Sequence, residues 1–115
     1  MKHIIFIQYC KSNDISNILL GINKYCFSPY EAFSIVVRFG YIDTIKILLK
    51  SFDNLDPSSL DNYNLIYAHV NGLNDIYRLL LQDDRVIQKG IKLNQSFILD
   101  YIAEQRDIKI KSLLS

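Results

Sequence analysis

The residues of this 115-residue chain that could do acid–base, nucleophilic or metal chemistry are few: two histidines, His3 and His69, and two cysteines, Cys10 and Cys26. Two histidines cannot make a His-rich metal site, and no H-E-x-x-H string is present, so a zincin-type zinc helix is excluded. The cysteines have neither C-x-x-C redox spacing nor zinc-ligand spacing. They sit among Tyr9, Tyr25 and Phe27, where a small buried hydrophobe is the commoner role than a Cys–His nucleophile. His69 reads as a helix-surface or interface residue. There is no G-x-x-x-x-G-K-[ST] loop, no G-x-G-x-x-G turn and no G-x-S-x-G elbow, which removes the usual phosphate cradles and serine-hydrolase geometry. The acidic strings at 53–56 and 83–84 lack the regular spacing and terminal glutamate of a calcium loop and read as solvated turns. Lys109 and Lys111 alternate with apolar residues and fit the solvent side of a helix. The expectation is a protein that is not an enzyme, with no cofactor and no metal.

Composition narrows the class further. Half of the residues are hydrophobic and 22% are charged, with four glycines and two prolines, which describes one packed domain rather than a linker or a disordered segment. Thirteen Lys and Arg against twelve Asp and Glu leave a formal charge of +1, so there is no excess field to hold a polyanion or an anionic membrane. Neither nucleic acid nor membrane is an expected partner. Two cysteines are too few for a disulfide framework, which favours a reducing compartment and a cytoplasmic protein. The apolar start at 1–7 is interrupted by Gln8, Lys11, Asn13 and Asp14 before a signal-peptide core or a membrane span is complete.

The elements that must carry any site are helical and repeated. Gly40-Tyr41-Ile42-Asp43 followed by Thr44-Ile45-Lys46-Ile47-Leu48-Leu49 superimposes without a gap on Gly72-Leu73-Asn74-Asp75 followed by Ile76-Tyr77-Arg78-Leu79-Leu80-Leu81, a 32-residue period. Each block follows a helix-like apolar segment, so the unit is helix, tight turn at Gly, second helix. A weaker copy opens the chain around Asn13-Asp14-Ile15, and another is expected at 99–115 with its turn at Arg106-Asp107-Ile108. Ser28-Pro29-Tyr30-Glu31 has the hydroxyl, proline and glutamate of a capping box. Asp61 or Asn62, and Asn94 or Ser96, are the expected caps of later helices. Ile45, Leu48 and Leu49, and likewise Ile76, Leu79 and Leu80, form apolar stripes that one helix pair cannot bury alone. The expected fold is therefore all-α, a short solenoid of about four helix-turn-helix repeats in a single domain, with units near 1–25, 26–57, 58–91 and 92–115. Polar connections are expected at 23–28, 51–60 and 82–93, the last including Gly90. The competing architectures are tetratricopeptide or HEAT-like arrays and an unordered bundle of eight short helices; the absence of tryptophan counts against the tetratricopeptide pattern.

The third unit resembles an ankyrin repeat: Leu65, Ala68 and Gly72 fall in that pattern's Leu, Ala and Gly positions, and Leu79-Leu80-Leu81 in its triple-leucine position. Tyr63 and Ile66 replace the usual Thr and His. In the second unit Ala32, Phe33, Val36 and Gly40 fill comparable positions, with Glu31 in place of Thr, and the end units depart further, as capping repeats do. Asp56-Pro57-Ser58 and Asp83-Asp84-Arg85-Val86 resemble the divergent ankyrin repeats of large DNA viruses and of some AT-rich protists. The resemblance implies a non-enzymatic interaction module that docks a partner protein on a concave face made by loop tips, first-helix starts and the two residues before each turn. Carried onto this chain, it selects Phe27, Tyr30, Arg38 and Phe39 in the second unit and Ser59, Leu60, Asn62, Val70 and Asn71 in the third. Lys11, Ser12, Glu104 and Gln105 are the weaker flanks. The alternative is a minimal array with a structural role that self-associates, although a monomer is the first expectation. A third class, an enzyme with an unrecognised site, would need a deep pocket lined by titratable groups.

Overall fold

The computed structural model describes residues 1–114, which form eight α-helices and no strand. In chain order these are α1 (His3–Lys11), α2 (Ile15–Tyr25), α3 (Pro29–Phe39), α4 (Ile42–Ser51), α5 (Ser59–Val70), α6 (Asn74–Leu81), α7 (Asp84–Lys92) and α8 (Ser96–Leu114). They pair consecutively, α1 with α2, α3 with α4, α5 with α6 and α7 with α8. The first helix of each pair packs on the first helix of the next, so α1, α3, α5 and α7 make one continuous layer. The molecule measures 56 × 27 × 25 Å with a radius of gyration of 16.0 Å. A compact domain of this size would have a radius of about 13 Å, so the helix pairs are set out in a file and α8 extends it.

Local chemistry accounts for these elements. Ser28 Oγ accepts a hydrogen bond from Glu31 N at 3.3 Å, with Pro29 in the first turn, and this cap starts α3. Asp14 caps α2 through Asn17 N, and Asp83 caps α7 through Arg85 N. Side-chain hydrogen bonds from Arg85 also hold the Asp83 carboxyl below the usual carboxylate range. Helix α3 lies between α1, α4 and α5 and buries Ala32, Phe33, Ile35, Val36 and Val37, far more than a one-sided stripe. Ile45 and Leu48 of α4 and Ile76, Leu80 and Leu81 of α6 close the core from the second layer, each large side chain contributing about 1.5–3 kcal/mol when fully buried.

The turns within the pairs share one backbone. Asn13, Gly40, Gly72 and Asn94 all take the left-handed conformation, with φ of 60°, 76°, 68° and 54°. In each turn the next residue donates its N–H to the carbonyl five positions back: Asp14 to Tyr9, Tyr41 to Val36, Leu73 to Ala68 and Gln95 to Gly90. The left-handed residue itself donates three positions back, which completes a Schellman motif four times over.

The fourth pair is where the expected register fails. The turn placed at Arg106-Asp107-Ile108 does not exist, because α8 runs unbroken through those residues. The region 82–93, expected as a polar connection, is almost all helix α7, so the boundary placed at 91/92 falls at the end of that helix, inside the fourth pair. Every turn that does form within a pair is closed by Gly or Asn in the left-handed conformation, and 106–108 contains neither. Gly90 is not a loop glycine but a buried position on α7, where a Cβ would run into the Ile98 side chain of α8.

Helix α5 begins abnormally. Leu60, Asp61 and Asn62 have φ/ψ of 53°/47°, 57°/43° and 67°/32°, three successive left-handed residues without a glycine, at roughly 1–2 kcal/mol each. Asn62 does not act as a cap of α5. Its amide instead donates to the Val86 carbonyl and to Gln95 Oε1, both at 3.0 Å, while Gln95 Nε2 donates to the Asp61 carbonyl at 2.9 Å. These bonds tie the left-handed turn to α7 and to the turn that follows it.

Candidate functional site

The two residues preceding each left-handed turn residue lie at the end of a first helix, and at all four turns they face solvent. They are Lys11 and Ser12, Arg38 and Phe39, Val70 and Asn71, and Lys92 and Leu93. Because the first helices pack side by side, these pairs form a row along one edge of the layer. Phe39 is 51% exposed, Val70 74% and Leu93 41%, so three of the four positions present an uncovered apolar side chain. The expected flank at Glu104 and Gln105 lies elsewhere, on α8. Lys92 and Leu93 hold the equivalent places and were missed because α7 was not anticipated.

A groove opens in the row between α1 and α3. Ile7, Lys11, Glu31, Ile35, Arg38 and Phe39 line an open volume of about 490 Å³. Its walls are fixed from below. The Tyr41 hydroxyl donates to the Lys11 carbonyl at 2.5 Å, the Phe39 ring stacks at 5.8 Å on the Tyr41 ring, and Thr44 Oγ1 donates to Asn13 Oδ1 across the two turns. Glu31 is occupied at 2.5 Å by His3 Nε2, and among the described residues neither Lys11 nor Arg38 has an ion-pair partner. An apolar floor beside two uncommitted cations is suited to a segment that offers an apolar side chain next to a carboxylate.

No family model matches the chain, and no curated protein or solved structure matches it. The site must therefore be read from its own residues.

Several residues expected on the binding surface are committed to the fold instead. Phe27 is half-buried and stacks on Phe6 with ring centroids 4.7 Å apart, because Cys26 ahead of it is left-handed and turns the chain inward. Asn62 is fully buried. The Tyr30 hydroxyl donates to the Asn54 carbonyl at 2.9 Å and accepts from Asp56 N at 3.1 Å, so Tyr30 pins the 52–58 connection. Ser59 is half-buried, and Asn71 bonds back to the Tyr67 carbonyl at the end of its own helix. Leu60, at 81% exposed, and Val70 are free on the surface but line no groove with Arg38.

The other reactive groups stay apart from this groove or are inert. Burial, with the nearby Glu31 charge, pushes the Cys10 thiol up to about 11, so it is protonated at neutral pH. Cys26 is exposed rather than buried as expected. Among the described residues no group of three or more His, Cys, Asp or Glu could hold a metal ion, and no helix is long and apolar enough to cross a membrane. His69 lies exposed on α5, with its ring 4.9 Å from that of Tyr77 and 5.7 Å from that of Phe97. That cluster was not anticipated, although Phe97, Tyr101 and Glu104 recur at the spacing of one helix face.

Proposed function

We propose that this chain is a short ankyrin-like solenoid of four helix pairs that acts as a non-enzymatic module for binding a partner protein in the cytoplasm. The partner chemistry favoured is an apolar, acidic segment. The observation that carries this reading is the α1–α3 groove, where Lys11 and Arg38, without ion-pair partners among the described residues, stand beside exposed Phe39. Aromatic and arginine side chains of this kind dominate interface energetics once desolvated. The left-handed turns and the file of first helices support the repeat assignment, and Cys10, a buried free thiol, suits a reducing compartment.

Affinity capture from the native cell with three forms of the protein tests it. Arg38→Ala with Phe39→Ala should lose the partner recovered by wild type, each substitution weakening binding by more than about 1 kcal/mol. Lys46→Ala with Arg78→Ala, on the second helices, should retain it, since exposed charges away from an interface are usually worth within about half a kcal/mol. Loss in the second variant with retention in the first would move the surface to the other layer. Tyr30 is unsuitable as a probe, because removing its hydroxyl frees the 52–58 connection.

A second reading, self-association, is favoured by the far end of α8, where Ile108, Ile110, Leu113 and Leu114 are exposed beyond the last residue that α8 buries, Ile98. It predicts a species heavier than the monomer.

A further inference from the structure

Three rings make contact between α5, α6 and α8, and a fourth, that of Tyr101, stands in the walls of the same clefts. His69 stands in the last turn of α5, Tyr77 on α6, and Phe97 and Tyr101 on the first turns of α8. The His69 ring lies 4.9 Å from that of Tyr77, tilted by 35°, and 5.7 Å from that of Phe97, nearly parallel at 13°. Two clefts open here, of about 490 and 330 Å³, and both have His69, Tyr77, Tyr101 and Glu104 in their walls. The smaller adds Phe97 and Asp100. On α8 the residues Phe97, Asp100, Tyr101 and Glu104 follow at three- and four-residue spacing, so one helix face presents rings and carboxylates together.

The charge is of one predominant sign. Asp100 and Glu104 have no ion-pair partner among the described residues, and Arg78 is the single Lys or Arg in the walls. Burial pushes the Tyr77 phenol up, and Tyr101, Glu104 and Asp100 push it the same way, as expected of a ring in a negative field. A hard metal ion would need a tighter set of oxygen or nitrogen ligands than these residues offer. Ring faces with flanking carboxylates attract a large, weakly hydrated organic cation.

We propose that the His69–Tyr77–Phe97–Tyr101 ring cluster, with Asp100 and Glu104, binds the methylated ammonium head of a ligand, either a methylated lysine side chain or a free quaternary ammonium compound. The site is independent of the α1–α3 groove and stands or falls separately from it.

The test is aromatic side-chain NMR of the full chain, titrated with choline, with Nα-acetyl-trimethyllysine methylamide, and with 3,3-dimethylbutanol, the uncharged isostere of choline. Saturable shifts at the four rings with a cation, and none with the alcohol, are expected. The tighter of the two cations identifies the source, a peptide side chain or a small molecule. Asp100→Asn with Glu104→Gln alters two exposed residues, leaving the helix intact, and should weaken the cation by at least about fivefold. Absence of saturable shifts with both cations, an equal response to the alcohol, or unchanged affinity in the double variant overturns the proposal.

Discussion

Leu60 and Asn62 are two residues apart, were both expected on a binding surface, and have opposite roles. Leu60 holds a left-handed backbone while its side chain touches little, being 81% exposed. Leu60→Gly should therefore relieve strain without removing packing and raise stability by about 1 kcal/mol, seen as a higher urea midpoint at unchanged slope. A lowered midpoint would mean that the left-handed turn is not adopted. Asn62 is legible only in the folded chain: its amide satisfies Val86 and Gln95, which are distant in sequence. Nothing at 60–62 announces the turn, since the residue type that normally marks three positive φ values, glycine, is absent. Arg38 and Phe39 could be placed from the sequence because both precede Gly40, whose turn was recognised. Phe27 could not, because the inward turn at Cys26 has no marker.

At the scale of the element, helix pairs were legible wherever a glycine closed the first helix. The second and third pairs align at one period because Gly40 and Gly72 occupy the same backbone position and leucine-rich helices follow both. The fourth pair uses Asn94, and α7 is a short helix in which Val86, Ile87 and Ile91 are surrounded by charged residues, so neither its turn nor its apolar face stood out. Asparagine tolerates the left-handed region better than other side chains, and Asn13 shows the same substitution in the first pair. The four turns thus predict their own exchange rule. Gly72→Asn should be nearly neutral, whereas Gly72→Val should cost about 1–2 kcal/mol, although a Cβ there meets nothing within 4 Å. Thermal melts of the two variants check this. Equal losses would show that crowding, rather than backbone conformation, governs the position.

At the scale of the whole molecule, shape and surface bear on oligomeric state. A monomer of 13.4 kDa is the expectation of the interaction module, and it should sediment as a single species with the high friction of a 56 Å rod-like body. If the end of α8 joins copies instead, a heavier species should grow with concentration, and Ile110→Lys with Leu113→Lys should abolish it. A monomer at every concentration removes the self-association reading. The arrangement of neighbours has one more consequence, for synthesis. Each helix pair touches chiefly the pair before it and the pair after it, and among the described residues α1 packs mainly on α2 and α3, its near neighbours in the chain. As the chain leaves the ribosome, each pair can dock as soon as the next has emerged, and folding can keep pace with translation. The groove between α1 and α3 would then be complete while α7 and α8 are still being made.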